Sequence, residues 1–207
     1  MTLYTVLKGL LTGLFKVVYN LKIHGSDKVP ENGKYVVVSN HISLGDVIIL
    51  AISCKRQIHF MAKKELFSIP LLAGLIKALG AFPVDRNGSA VSALKTAVKH
   101  LESEKLVGMF PQGTRRRGQS VDDTEFKPGA AFCAYKSKAG FIPCYIKTKD
   151  QCFGFFKRTD IYFGDPIEYS TLPYTEGGSE EYARVTEIIK SEIFRLESDT
   201  YGGKFNA

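Results

Sequence analysis

Two short stretches of this 207-residue chain carry side chains that do chemistry. The first is Asn40-His41-Ile42-Ser43-Leu44-Gly45-Asp46, which sets an imidazole five residues ahead of a carboxylate. A neutral imidazole takes a proton from an alcohol near pH 7 when its other nitrogen is held by an acceptor, and Asp46 offers that acceptor. The second is Phe110-Pro111-Gln112-Gly113-Thr114-Arg115. Gly113 lets the backbone approach a ligand closely, and Arg115 brings a guanidinium shaped for a bidentate grip on phosphate. A base with its orienter beside an anion clamp suits a transferase that activates a hydroxyl on a phosphorylated acceptor. The chain has no Gly-x-Ser-x-Gly nucleophile motif, so direct attack by the substrate hydroxyl is expected. Taken singly, each stretch also has a plainer reading: a loop histidine with a helix-capping aspartate, and a turn with solvated arginines.

Strands must position both stretches. Tyr35 to Ser39 is short, β-branched and bounded by turn residues, as a buried strand is. Leu106 to Phe110 reads the same way. Further strands are expected at Ile58–Met61, Ala81–Val84, Phe141–Ile146 and Asp160–Phe163. Helical spacing predicts helices at Asp46–Ser53, Pro70–Leu79, Ser89–Ser103, Ala130–Lys136 and Glu180–Glu197, with Ser89 as a cap. Alternating strands and helices predict one α/β domain with a mixed, largely parallel sheet flanked by helices. In such sheets sites form beyond the carboxyl ends of strands, where both stretches fall. Lys22 to Gly33 reads as a lead-in to a turn cluster, and Arg115 to Lys127 as a polar, mobile loop.

The first twenty residues are apolar with helical periodicity. Leu3, Val6, Leu7, Leu10, Leu11, Leu14, Val17 and Val18 recur at spacings of three and four, while Thr5, Lys8, Thr12 and Lys16 fall on the other side. That pattern fits an amphipathic membrane-associated helix or a terminal helix docked on the core. The net charge of +7 and the absence of acidic residues in this helix favour the membrane. Lys8 and Lys16 leave too short an uncharged run for a spanning helix, and no signal-peptide cleavage site follows. Cys54, Cys133, Cys144 and Cys152 form no Cys-x-x-Cys pair. They read as reduced thiols in a cytosolic setting, with no metal site. No recognition motif for nucleic acid accompanies the basic charge.

Two further stretches complete a pattern: Phe82-Pro83-Val84-Asp85-Arg86, with Arg86 after another strand, and Ile142-Pro143. In this order the four resemble the motifs of the glycerolipid acyltransferase family, most closely the bacterial lysophosphatidic acid acyltransferases. His41 and Asp46 match Asn-His-x-x-x-x-Asp, and Phe110 to Arg115 match Phe-Pro-Glu-Gly-Thr-Arg. Lys63-Lys64-Glu65-Leu66 and Phe126-Lys127-Pro128-Gly129 also look like family features, and the resemblance covers roughly residues 20–170.

The resemblance implies that His41 and Asp46 are catalytic. It implies that Arg86, Gln112, Gly113, Thr114, Arg115 and Lys63 bind substrate. No cofactor or metal is implied, and acyl-CoA or acyl-carrier protein would be the acyl donor. A lysophospholipid would be the acceptor, phosphatidic acid the product, and the cytoplasmic side of the cell membrane the location, on an anionic surface. Residues 1–20 would then be the membrane-anchoring helix, 21–200 the acyltransferase domain and 201–207 a frayed tail. The chain departs from the pattern at Gln112, where the family has glutamate. Gln suffices if that side chain works by hydrogen bonding or positioning, and fails if it works as an anion. Two other readings stay open: a different lipid acceptor, and a membrane-surface lipid-binding protein of the same fold without turnover.

Overall fold

The computed structural model describes residues 3–84, 90–148 and 157–201. Seven strands form one sheet: β1 (Leu21–His24), β2 (Tyr35–Ser39), β3 (Ile58–Lys63), β4 (Phe82–Val84), β5 (Leu106–Met109), β6 (Gly140–Thr148) and β7 (Thr159–Phe163). Their order is β1-β7-β6-β2-β5-β3-β4. The run β6-β2-β5-β3-β4 is parallel throughout, β7 runs against β6, and β1 lies parallel to β7. This is the mixed, largely parallel sheet that the alternation of elements predicts. The unforeseen element is β1. Its pattern is short and edge-like, with Leu21 buried and Lys22 and His24 outside, and it is identified by its partner β7 rather than by its own composition. There His24 Nε2 meets the Asp160 carboxylate at 2.8 Å.

Six helices accompany the sheet among the described residues: α1 (Leu3–Val18), α2 (Asp46–Ser53), α3 (Pro70–Ala78), α4 (Ala90–Glu102), α5 (Gly129–Ser137) and α6 (Ser179–Tyr201). Ser89, the expected cap of α4, lies outside the described residues, as does Cys152. Successive strand residues point to opposite faces, so Val36 and Val38 enter one core and Tyr35 and Val37 the other. The first core holds α4, α5 and α6 and the second holds α1 and α2. Cys54, Cys133 and Cys144 are buried free thiols within these cores. Burial pushes the Cys54 thiol up to about 11 and Cys133 up to about 12, which keeps both thiols protonated and unreactive at neutral pH.

The packing of α1 inverts part of the sequence expectation. Lys8 and Thr12, assigned to its outer polar side, turn inward onto the carboxyl end of α2. Lys8 Nζ donates to the carbonyls of Cys54 and Lys55, and the Thr12 hydroxyl, which shares its one proton between Lys8 O at 2.7 Å and Ile52 O at 3.3 Å, faces the same helix end. Tyr4 Oη adds a contact to the Ala51 carbonyl at 3.4 Å. The last carbonyls of a helix lack partners in their own helix and carry the negative end of its dipole, so a lysine and a hydroxyl are attracted there. Phe15 and Leu11 pack into the core beside them. The outward stripe is apolar instead: Val6, Leu10, Leu14 and Val17 are 40%, 67%, 54% and 74% exposed. Periodicity finds a stripe, but it does not say which side the rest of the fold will claim.

Candidate active site

Strands β2 and β5 are neighbours, and the chain leaves them in opposite directions. From β2 it passes through α2 to β3, and from β5 through α5 to β6. The helices therefore pack on opposite faces, and a crevice opens between the two carboxyl ends. Both chemically equipped stretches begin there.

After Ser39 the side chain of Asn40 takes over from the backbone ladder. Its Oδ1 accepts from Ile146 N at 2.8 Å and its Nδ2 donates to Ile146 O at 2.9 Å. The amide thus satisfies β6 while the backbone turns away into the His41 loop. His41 Nδ1 lies 2.8 Å from Asp46 Oδ2, with the histidine side chain 16% exposed and the aspartate fully buried. Asp46 opens α2, yet its carboxylate reaches back rather than capping that helix. Oδ2 also accepts from Ile42 N at 2.6 Å and Ser43 N at 2.8 Å, and Oδ1 accepts from Ser43 Oγ at 3.1 Å. One carboxylate thereby folds the whole loop around itself. Because the carboxylate only accepts, Nδ1 carries the proton and Nε2 presents its lone pair.

The imidazole face is fixed too. The Phe110 ring stacks on His41 with centroids 4.2 Å apart and planes 20° apart, and Phe60 lies 6.3 Å beyond Phe110. Phe60 reaches this position because β5 has Gly108 beneath it; a Cβ there would sit 2.1 Å from the Phe60 ring. No side chain among the described residues hydrogen-bonds Nε2. Ser39 Oγ is buried and donates to Asn40 Oδ1, and Ser43 Oγ serves Asp46 and Gly45 N. Among the described residues this arrangement suits a base that acts on a hydroxyl brought by the substrate.

Beyond β5, Gly113 makes the turn with φ of +69° and its N–H bonds to Phe110 O at 3.0 Å. Gly113, Thr114 and Arg115 are exposed, and Arg115 makes no ion pair or hydrogen bond among the described residues. Gln112 differs from them. It is 3% exposed, with Oε1 accepting from His41 N at 2.7 Å and Nε2 donating to Thr124 Oγ1 at 2.8 Å. Expected among the substrate-binding residues, it has both ends of its amide engaged by the protein behind the imidazole. The arginine run is likewise only partly solvated. Arg116 N donates to His41 O at 2.7 Å and Arg117 Nε to Ile42 O at 3.2 Å. These bonds tie the segment after Gly113 to the His41 loop.

Lys127, within the Phe126-Lys127-Pro128-Gly129 motif, is a further cation that the sequence does not mark as a site residue. Its N–H bonds to Pro111 O at 2.9 Å, and its side chain crosses the Gly113 turn, with Nζ 3.3 Å from where a Cβ would stand. That adds an exposed cation over the Gly113 turn. Lys63 is exposed at the carboxyl end of β3, on the same side of the sheet. Arg86 lies outside the described residues.

A histidine–aspartate pair at the switch point of an open α/β sheet, with exposed cations beyond the neighbouring strand ends, has the geometry that general-base chemistry on an anionic substrate needs. Comparisons with known proteins identify the family. The model of the Acyltransferase family matches residues 20–147, and the chain belongs to that family. It is 31% identical over 190 residues to the 1-acyl-sn-glycerol-3-phosphate acyltransferase of Bacillus subtilis, spanning 88% of this chain and 93% of that one. Identity to the enzyme of the same name from Streptococcus pneumoniae is 32% over 203 residues, spanning 95% of this chain and 74% of that one. The fold is similar to the crystal structure of the 1-acyl-sn-glycerophosphate (LPA) acyltransferase PlsC from Thermotoga maritima. The TM-score is 0.69 at 22% identity, covering 94% of this chain and 80% of that one.

Proposed function

We propose that this protein transfers a fatty acyl group from a thioester donor to the free hydroxyl of lysophosphatidic acid, giving phosphatidic acid. The observation that carries the reading is the imidazole held at Nδ1 by Asp46 with Nε2 unengaged. The acceptor follows from the names of the relatives and from the exposed cations at the site. In the reaction the acceptor hydroxyl gives its proton to His41 Nε2 as its oxygen attacks the thioester carbonyl. The tetrahedral intermediate collapses, the C–S bond breaks, and the departing sulfur takes the proton from the imidazolium. Asp46 keeps the ring in one tautomer and stabilises the charge that forms on it. Arg115 and Lys127, with Arg86 and Lys63, hold the phosphate. The test is product formation from lysophosphatidic acid with acyl-CoA and, separately, with acyl-carrier protein. Phosphatidic acid with either donor supports the reading. Transfer only to other lysolipids would change the acceptor, and lipid binding without transfer to any would make it a binding protein.

The acceptor is a membrane lipid, and the outward stripe of α1 supports a seat on the cytoplasmic membrane surface. No helix among the described residues is long and apolar enough to cross a membrane. Next to α1, Ile69 and Leu71 add exposed apolar surface before and within α3. Replacing Val6, Leu10, Leu14 and Val17 together by serine removes the stripe and leaves the Lys8 and Thr12 bonds to α2 in place. This variant is expected to bind anionic vesicles at least about tenfold more weakly, with its melting temperature nearly unchanged. Undiminished sedimentation with vesicles would refute the membrane role of α1.

A further inference from the structure

We propose that Glu197, far from the reacting atoms in α6, is a positioning residue for His41, acting through a buried chain of hydrogen bonds; this rests on the general-base reading above. The chain starts at the backbone of the base. His41 N donates to Gln112 Oε1 at 2.7 Å, Gln112 Nε2 to Thr124 Oγ1 at 2.8 Å, and Thr124 Oγ1 to Val121 O at 2.8 Å. Val121 N then donates to Glu197 Oε2 at 2.8 Å, and Ser120 Oγ joins it there at 2.9 Å. The other carboxylate oxygen, Oε1, accepts from Tyr145 Oη at 3.2 Å, which ties the chain to β6. Gln112, Val121, Thr124, Tyr145 and Glu197 are all buried.

The direction of every bond is dictated. His41 N–H can only donate, so Gln112 must turn its carbonyl oxygen to it and its NH₂ to Thr124. Thr124 accepts that bond with a lone pair and keeps its single proton for Val121 O. A glutamate at position 112 would present acceptors at both ends. Thr124 would then have to turn its proton to position 112 and abandon Val121 O. Gln112 and Thr124 are thus a matched donor–acceptor pair, which gives the departure from the family's glutamate a physical sense in this chain. Glu197 holds the far end: without it Val121 N loses its partner inside the core, the half-buried Ser120 Oγ loses its acceptor, and the 120–124 turn that supports Gln112 is released. A base displaced by a fraction of an ångström loses rate while substrate binding is left largely intact.

The experiment compares Glu197→Ala, Glu197→Gln and Thr124→Val with Glu181→Gln, a control on the same helix whose carboxylate serves only the 175–177 turn. Acyl-transfer kinetics are measured below the melting temperature of every variant, together with the ¹⁵N shifts of the His41 imidazole. Glu197→Ala and Thr124→Val are expected to lower kcat about ten- to hundredfold with KM for both substrates changed less than about threefold. Their effects combine less than additively in the double variant. Glu197→Gln retains most of the rate, because its carbonyl still accepts from Val121 N and Ser120 Oγ, and its NH₂ can donate to Tyr145 Oη once that hydroxyl turns its own proton to Tyr201. The His41 shifts move in Glu197→Ala and stay in Glu181→Gln. Wild-type kcat and unmoved His41 shifts in folded Glu197→Ala overturn the proposal, and the shifts decide it even if the acyl-transfer reading fails. Absence of acyl transfer by the wild type would instead count against that reading alone.

Discussion

Asp46→Asn is expected to reduce acyl transfer by about three to four orders of magnitude and to destabilise the fold as well. The two effects come from the same buried carboxylate. Its oxygens accept from His41 Nδ1, Ile42 N, Ser43 N and Ser43 Oγ, all donors. Asparagine offers one acceptor oxygen and an NH₂ that meets donors with donors. If its oxygen takes the place of Oδ2, the imidazole and both backbone amides keep their acceptor, but the negative charge that stabilises the imidazolium is gone and Ser43 Oγ, which met Oδ1, now faces an NH₂. If the amide flips, the NH₂ faces the imidazole and forces the proton to Nε2, which abolishes the base, and Ile42 N and Ser43 N are left buried without a partner. Losses in catalysis of this size follow when a base is held in the wrong tautomer, and unsatisfied buried groups cost about 1–3 kcal/mol each. A loss of about 2 kcal/mol corresponds to a melting temperature about 4–8 °C lower. Kinetics and a thermal melt on one preparation check both parts. Near wild-type activity would show that Asp46 only shapes the loop.

Replacement of His41 itself should separate catalysis from stability. His41→Gln removes the base and with it about two to four orders of magnitude in rate. The side chain is not a packing keystone: it lies over Phe110 at the edge of the crevice. The loop stays folded through bonds that do not involve the ring, from His41 N to Gln112 and from Arg116 N to His41 O. The expected outcome is a folded protein with little change in melting temperature and retained binding to vesicles carrying lysophosphatidic acid. Loss of binding together with activity would place His41 in substrate capture instead.

Much of this arrangement was readable in the sequence because its determinants are local. His41 and Asp46 are close in the chain, and a strand-to-helix bend brings them together. Buried parallel strands such as Tyr35–Ser39 are continuous β-branched runs, so their positions and the carboxyl ends they expose could be read directly. What escaped depends on partners far away in the chain. The bonds of Gln112 escape because nothing local shows that Thr124 and the His41 backbone take both ends of its amide. The segment 115–127, read as a mobile polar loop, is held by Val121, Thr124 and Phe126, single buried residues scattered among charges. Its composition is that of a loop, and its anchors are visible only once α6 brings Glu197 against it. The orientation of α1 was hidden for a related reason. Its lysine and threonine look like a solvent face until the carboxyl end of α2 supplies carbonyls for them.

The most direct measurement of the central claim is thiol release from a thioester donor, followed with and without lysophosphatidic acid, for the wild type beside His41→Gln. A base without a protein nucleophile predicts release only when the acceptor is present, matched one to one by phosphatidic acid, and nearly lost in the variant. A burst of thiol from the wild type without acceptor would reveal an acyl-enzyme, and undiminished release by His41→Gln would remove His41 from the chemistry; either result would contradict the account.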